Sequence, residues 1–227
     1  MEQIRLAPSG RETTRLGYGC SSIMGALGRR QSLRLLEAAY DEGIRHFDVA
    51  PMYGYGEAES CLGEFRARHR DITITTKYGI APPKRGRMLR TARRVVGPML
   101  QRVPALKRRI ARAAGAVAAP AEKSRFSADE ARSSLENSLR ALRTDFIDVW
   151  LLHEAEASDL TDDSLLNFLH EAVAQKKIGS FGVGSDSEKL PALLRERPAY
   201  CQVVQHDWSI LDPAEPRGWH STSITAR

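Results

Sequence analysis

Short apolar runs alternate with amphipathic helical stretches along this chain, and that alternation restricts the fold more than any other feature. The runs are Arg15–Gly19, Ile44–Asp48, Ile72–Lys77, Phe146–Leu152, Ile178–Val183 and Tyr200–Gln205. Several are nearly continuous, such as FIDVWLL and CQVV, as expected of strands buried on both faces of a parallel sheet. Between them, Leu33, Leu36 and Tyr40 follow helical spacing, with Gly43 placed as a C-terminal cap. Ala131, Leu135, Leu139 and Leu142 form a second stripe, preceded by Ser127 and Glu130 in a capping-box pattern. Leu165, Leu169 and Ala172 form a third. Ser187 is placed to cap a fourth helix, with Pro191 in its first turn.

Such alternation predicts an α/β fold, either a doubly wound open sheet or a (β/α)8 barrel of the TIM type. A doubly wound dinucleotide fold calls for G-x-G-x-x-G after a strand. Gly17-Tyr18-Gly19, Gly54-Tyr55-Gly56 and Gly182-Val183-Gly184 all lack the third glycine, and there is no Walker A pattern. The barrel is preferred because the chemically interesting side chains fall at strand C-termini, where barrel active sites are built. Six strand–helix units are legible, and HDWSILDPAEPRGWHSTSITAR after Gln205 holds no further strand run, so the expectation is a barrel lacking its last two units. The predicted organisation is a barrel over residues 1–212, interrupted by a basic helical insertion over 80–126, and an irregular tail over 213–227.

The whole-chain net charge of +6 hides an uneven distribution. Residues 80–126 carry thirteen Lys or Arg and one acid, a net of +12 that leaves the rest of the chain at −6. Met88, Ala92, Val95, Met99, Val103, Leu106 and Ile110 form an amphipathic stripe within it, broken near Gly97-Pro98 and Pro104. Its readings are a solvated helical excursion, a lid over the mouth, a site for acidic substrates, or a contact for nucleic acid or anionic membrane. The nucleic-acid reading is disfavoured because residues 80–125 contain no aromatic side chain to stack on bases. Cys20, Cys61 and Cys201 are odd in number and widely spaced, which predicts neither a disulfide framework nor a metal site. The polar N-terminus and the lack of a long apolar run predict a cytoplasmic protein.

Four residues carry coherent chemistry: Asp48 ends the second strand, Tyr53 lies in the loop after it, Lys77 ends the third strand and His153 the fourth. Each alone is commonly structural, but together at one barrel mouth they form a proton-transfer set. A phenol has a pKa near 10 and is a poor acid at neutral pH. An ammonium beside it favours the phenolate, a carboxylate holds the ammonium, and an imidazole can hydrogen-bond a substrate oxygen.

GIRHFDVAPMYGYGEAESCLGEF resembles the aldo-keto reductase signature, a strand ending in F-D-x-A-x-x-Y-G followed by a helix with E-x-x-L-G, here Glu59, Leu62 and Gly63. TTKYG and DVWLLHE are similar to the family's lysine and histidine strands. KKIGSFGVGSD resembles its K-x-I-x-x-x-G-V-S-N segment, with Gly184-Ser185 at the Ser-Asn positions, and CQVVQHDWSILDP its Q-x-x-Y/W-S-L-L element. The resemblance spans roughly residues 15–79 and 127–212. It implies a barrel that reduces an aldehyde or ketone with NADPH, bound without a Rossmann fingerprint. Tyr53 would be the general acid, Lys77 and Asp48 its tuners and His153 the carbonyl orienter. Gly19, Cys20, Asp48, Ser185 and Gln205 would contact the cofactor. The competing expectation is a non-catalytic barrel remnant or binding protein that has lost cofactor binding.

Overall fold

The computed structural model describes residues 1–6, 8–25, 27–81 and 123–207. Six strands form one parallel sheet in sequential order: β3 (Gly17–Gly19), β4 (His46–Asp48), β5 (Thr73–Tyr78), β6 (Ile147–His153), β7 (Ile178–Gly184) and β8 (Val203–Gln205). All six fall inside the apolar runs or within one residue of their ends. The helices are α1 (Arg29–Asp41), α2 (Ala58–Arg66), α3 (Ala128–Leu142), α4 (Asp163–Ala174) and α5 (Leu190–Glu196). Each of the first five strands of this sheet is followed by a helix that returns the chain to the same end of the sheet, as parallel pairing requires.

The sheet is strongly curled. In a flat sheet β4 and β8 would lie four strand spacings apart, about 19 Å. Instead the Gln205 side chain of β8 hydrogen-bonds the Asp48 carboxylate of β4. This is a barrel wall over its first six strands.

The predicted helical stripes face the sheet. Leu36, Leu135, Leu142, Leu165, Leu169 and Ala172 are buried in one cluster with Phe47, Trp150 and Phe181. Trp150 stacks on Tyr78 with ring centroids 5.6 Å apart. Gly43 ends α1 with φ +89°, the left-handed conformation a glycine takes without penalty. Gly63 has a packing reason instead: a Cβ there would lie 2.4 Å from the Ala141 carbonyl oxygen, so α2 and α3 approach only over a bare backbone. The neighbouring Glu59 is buried and accepts from Thr76 Oγ1 at 2.8 Å, tying α2 to β5.

Two capping expectations are corrected. Ser127 Oγ accepts from the Glu130 amide at 3.4 Å, but the Glu130 carboxylate accepts from the Arg125 amide at 3.0 Å, so the box is not reciprocal. Ser187 does not cap α5. A turn in which the Lys189 amide bonds the Asp186 carbonyl delays the helix, Lys189 is the N-cap, and the Ser187 amide is held by Asp207 at 2.9 Å. Pro191 does lie in the first turn.

The sequence reading missed the antiparallel hairpin of β1 (Gln3–Leu6) and β2 (Arg11–Thr14). QIRL and RETT are mostly polar because only their inner residues are buried. Leu6 enters the barrel interior and packs with Val149, Leu151 and Val203.

Residues 82–122 of the basic insertion lie outside the described residues, as does the tail over 213–227. The two described ends of the insertion meet. Ile80 bridges Lys123, and the Ser124 amide bonds the Gly79 carbonyl at 2.7 Å. Lys123 is paired with Asp159 at 2.7 Å.

Candidate active site

Parallel register gathers the predicted residues. Gly19 pairs with Asp48, and Gly184 lies between His153 and Gln205. All are strand-terminal and point the same way. Tyr53 arrives on a short turn after β4, its amide bonded to the Ala50 carbonyl at 3.0 Å. The turn is left-handed at Gly54 and Tyr55. A Cβ on Gly54 would come within 2.5 Å of Met24 Cβ and 2.7 Å of the Ile23 oxygen, so only glycine lets this loop seat against the β3–α1 loop.

Lys77 Nζ is ion-paired with Asp48 Oδ1, and both side chains are buried. The other Asp48 oxygen accepts from Gln205 Nε2. Lys77 Nζ lies 5.5 Å from the Tyr53 ring centroid. Tyr53 and His153 meet edge to face, 6.2 Å between centroids at 88°. These four residues, with Gly19, Cys20, Ser185 and Gln205, border one cleft of about 230 Å³. A larger hollow of about 400 Å³ lies on the outer face of α1 and contains none of them. Its Glu37 is already occupied by Arg68 and His69, at 2.9 and 2.7 Å.

The description "Aldo/keto reductase family" covers residues 15–222 of the chain. The chain belongs to the aldo/keto reductase family. It is 30% identical over 218 residues to a D-threo-aldose 1-dehydrogenase of Pseudomonas sp, covering 91% of this chain and 60% of that protein. It is 42% identical over 82 residues to a pyridoxal 4-dehydrogenase of Microbacterium luteolum, covering 34% of this chain and 24% of that protein. The holo form of an aldo-keto reductase from Bacillus halodurans has the same fold, with a TM-score of 0.68 at 21% identity, covering 92% of this chain and 58% of that one. An aldo/keto reductase from Klebsiella pneumoniae, solved in complex with NADP and acetate, gives a TM-score of 0.59 at 21% identity, covering 90% and 58%. The chain spans three fifths or less of these proteins' length.

In this member of the aldo/keto reductase family, burial governs the proton chemistry. Desolvation raises the Tyr53 phenol above its ordinary value, against the charge of Lys77 and the hydrogen bond from it. The expected downward pull from the ammonium is present but outweighed, first by desolvation and then by the charge of Asp48. The phenol therefore keeps its proton at neutral pH. His153 is pushed down to about 4, first by burial and then by the Lys77 charge, so it is a neutral imidazole at pH 7.

The remaining predicted residues differ in how free they are. Cys20 is fully buried, its amide bonded to the Asp48 carbonyl at 2.7 Å, and its thiol is held well above the ordinary range by burial. Ser185 Oγ donates to the Ala155 carbonyl at 2.8 Å, which directs its proton away from the cleft. Glu154, Asp186 and Asp207 also line the cleft and were not picked out from the sequence. Each sits at or just after a strand end, and that position was the available signal. Among the described residues no group of three or more His, Cys, Asp or Glu is placed to hold a metal ion, and no helix is long and apolar enough to cross a membrane.

Proposed function

We propose that this mouth reduces an aldehyde or ketone to an alcohol, with NADPH as the hydride donor. The observation that carries the reading is the meeting at one cleft of Asp48, Lys77 and His153, from three strand ends, with Tyr53 from the turn after β4. Family membership supports the reaction class, and the neighbour solved with NADP supports the cofactor class.

The residues present fit the nicotinamide end of that cofactor. A Cβ at Gly19 would touch nothing, so that wall of the cleft is open, and Gln205 offers an amide beside it. Gly19, Cys20, Asp48, Ser185 and Gln205 would hold this end. When bound, the reduced nicotinamide supplies hydride to the carbonyl carbon.

The chain's own residues handle the proton. Tyr53 donates its phenolic proton to the developing oxyanion, and solvent later replaces it. Lys77 stabilises the phenolate left behind, which costs less in a desolvated site where its charge is weakly screened. Asp48 keeps Lys77 charged and aimed. His153, neutral, hydrogen-bonds the carbonyl oxygen and orients it without competing as an acid. The same reading places a small-molecule carbonyl substrate at the mouth and the protein in the cytoplasm; the three cysteines are unpaired, in keeping with a reducing compartment.

The test is carbonyl-dependent NADPH oxidation in the unaltered chain and in Tyr53→Phe, with cofactor binding followed by fluorescence. The expected result is binding in both and turnover in the unaltered chain alone. Equal turnover in the two proteins removes Tyr53 as the acid. Absence of binding at high micromolar NADPH removes the reductase reading.

A further inference from the structure

Directly below the Asp48–Lys77 pair lies a buried polar network that the proposed reaction does not use. Strand alternation puts His46 on the same face of β4 as Asp48, and Thr73 and Thr75 on the same face of β5 as Lys77. Register pairs His46 with Thr73 and Asp48 with Thr75. The imidazole spans the two threonines: Nδ1 lies 2.9 Å from Thr73 Oγ1 and Nε2 lies 3.2 Å from Thr75 Oγ1. Thr13 of the N-terminal hairpin joins at 2.6 Å from Thr73 Oγ1. His46 and all three threonines are buried.

One assignment of the protons satisfies all of these contacts. A hydroxyl has one proton to give and two lone pairs. Thr73 Oγ1 gives its proton to the Arg45 carbonyl at 3.3 Å. In that assignment its two other neighbours donate to it, and His46 is an Nδ1–H tautomer with a bare Nε2. Thr75 fills that lone pair with its own proton. The network closes with every contact satisfied and a neutral ring, consistent with burial pushing the imidazole down. The charged groups acting on His46 are Asp48 on its own strand and Lys77 on β5. Thr13 from β2, and Gly17 from β3, which packs against the ring, bring none.

The Thr75 hydroxyl bonds the His46 ring, and register places its residue directly across the ladder from Asp48, whose carboxylate is a second acceptor of the same kind. We propose that His46 is a positioning residue that engages the Thr75 hydroxyl and thereby keeps it off Asp48, leaving that carboxylate to Lys77 and Gln205. Without the ring, Thr75 turns to Asp48 and draws its charge away from Lys77. The freed ammonium then pulls harder on Tyr53. The catalytic consequence rests on the carbonyl-reductase reading, but the network itself does not.

The experiment therefore needs neither cofactor nor substrate. It is an NMR titration of protein labelled with [13C]tyrosine, with Tyr53 assigned through Tyr53→Phe. His46→Leu is expected to lower the Tyr53 midpoint by about half a unit, the effect of a modest change in a neighbouring charge. His46→Gln, which puts an amide acceptor where Nε2 stood, and Thr75→Val, which removes only the diverted hydroxyl, are each expected to leave it in place. The double variant His46→Leu/Thr75→Val returns to the unaltered midpoint. A His46→Leu shift that persists with Thr75→Val, or no shift at all, overturns the proposal. Should His46→Leu not fold, imidazole 15N shifts of the unaltered protein decide it. A neutral Nδ1–H ring is expected, and an Nε2–H tautomer or an imidazolium at neutral pH overturns it. Loss of turnover with this network intact would count against the reductase reading alone.

Discussion

Gln205 and Asp48, 157 residues apart in sequence, are joined by a hydrogen bond from the amide to the carboxylate oxygen that Lys77 does not occupy. This single contact ties the sixth parallel strand to the second and closes the mouth across its width. Replacing Gln205 with Leu strands a buried carboxylate oxygen. The expected cost is about 1–3 kcal/mol, the usual price of an unsatisfied buried polar group, read from urea unfolding. A cost below a few tenths of a kcal/mol would mean that the contact is idle.

The Asp48–Lys77 pair is buried, so removing one partner leaves the other charge without compensation. Lys77→Met is expected to destabilise the fold by roughly 3–5 kcal/mol, whereas Asp48→Leu/Lys77→Met recovers most of that loss. Denaturant midpoints of the two variants check it. Additive losses in the double variant would contradict the pairing.

His153 gives a pH dependence with a definite sign. Its folded pKa of about 4 lies below the unfolded value near 6.5, so the unfolded chain takes up a proton first as pH falls. Stability is unaffected by this group above about pH 6.5 and declines between there and about pH 4, by up to about 3 kcal/mol. His46, buried and shifted the same way, adds to the decline. The stability-against-pH curve of His153→Gln should be flatter in this window. Parallel curves for the two proteins would refute the assignment.

Gly63 offers a test of the outer layer. With a backbone oxygen 2.4 Å from the added Cβ, Gly63→Ala must push α2 away from α3. Overpacking of this kind costs about 1–3 kcal/mol, despite alanine's higher helix propensity. Thermal unfolding measures it, and a rise in melting temperature would show that the helices can separate freely.

Much of the fold was legible because both periodicities were strong. Runs such as FIDVWLL fit a strand covered on both sides, and Leu135, Leu139 and Leu142 fit a helix with one buried face. The hairpin was not legible, since Gln3–Leu6 and Arg11–Thr14 are half exposed and carry too few apolar residues to show a period. Asp48, Lys77 and His153 could be read as a group from their positions at strand ends, with Tyr53 in the loop that follows one of them. His46 could not, because its partners Thr73 and Thr75 look like ordinary strand residues.

What the sequence determined by itself was local: which segments are strands and helices, and which side chains stand at strand C-termini. Those follow from side-chain period and backbone preference, which act within a few residues. The curl of the sheet decided the rest. It brought Gln205 onto Asp48 and buried Tyr53 deeply enough for desolvation to outweigh the charge of Lys77, while strand register set the His46 ring between two threonines. Desolvation depends on what surrounds a group in space, and only the packed chain supplies those surroundings.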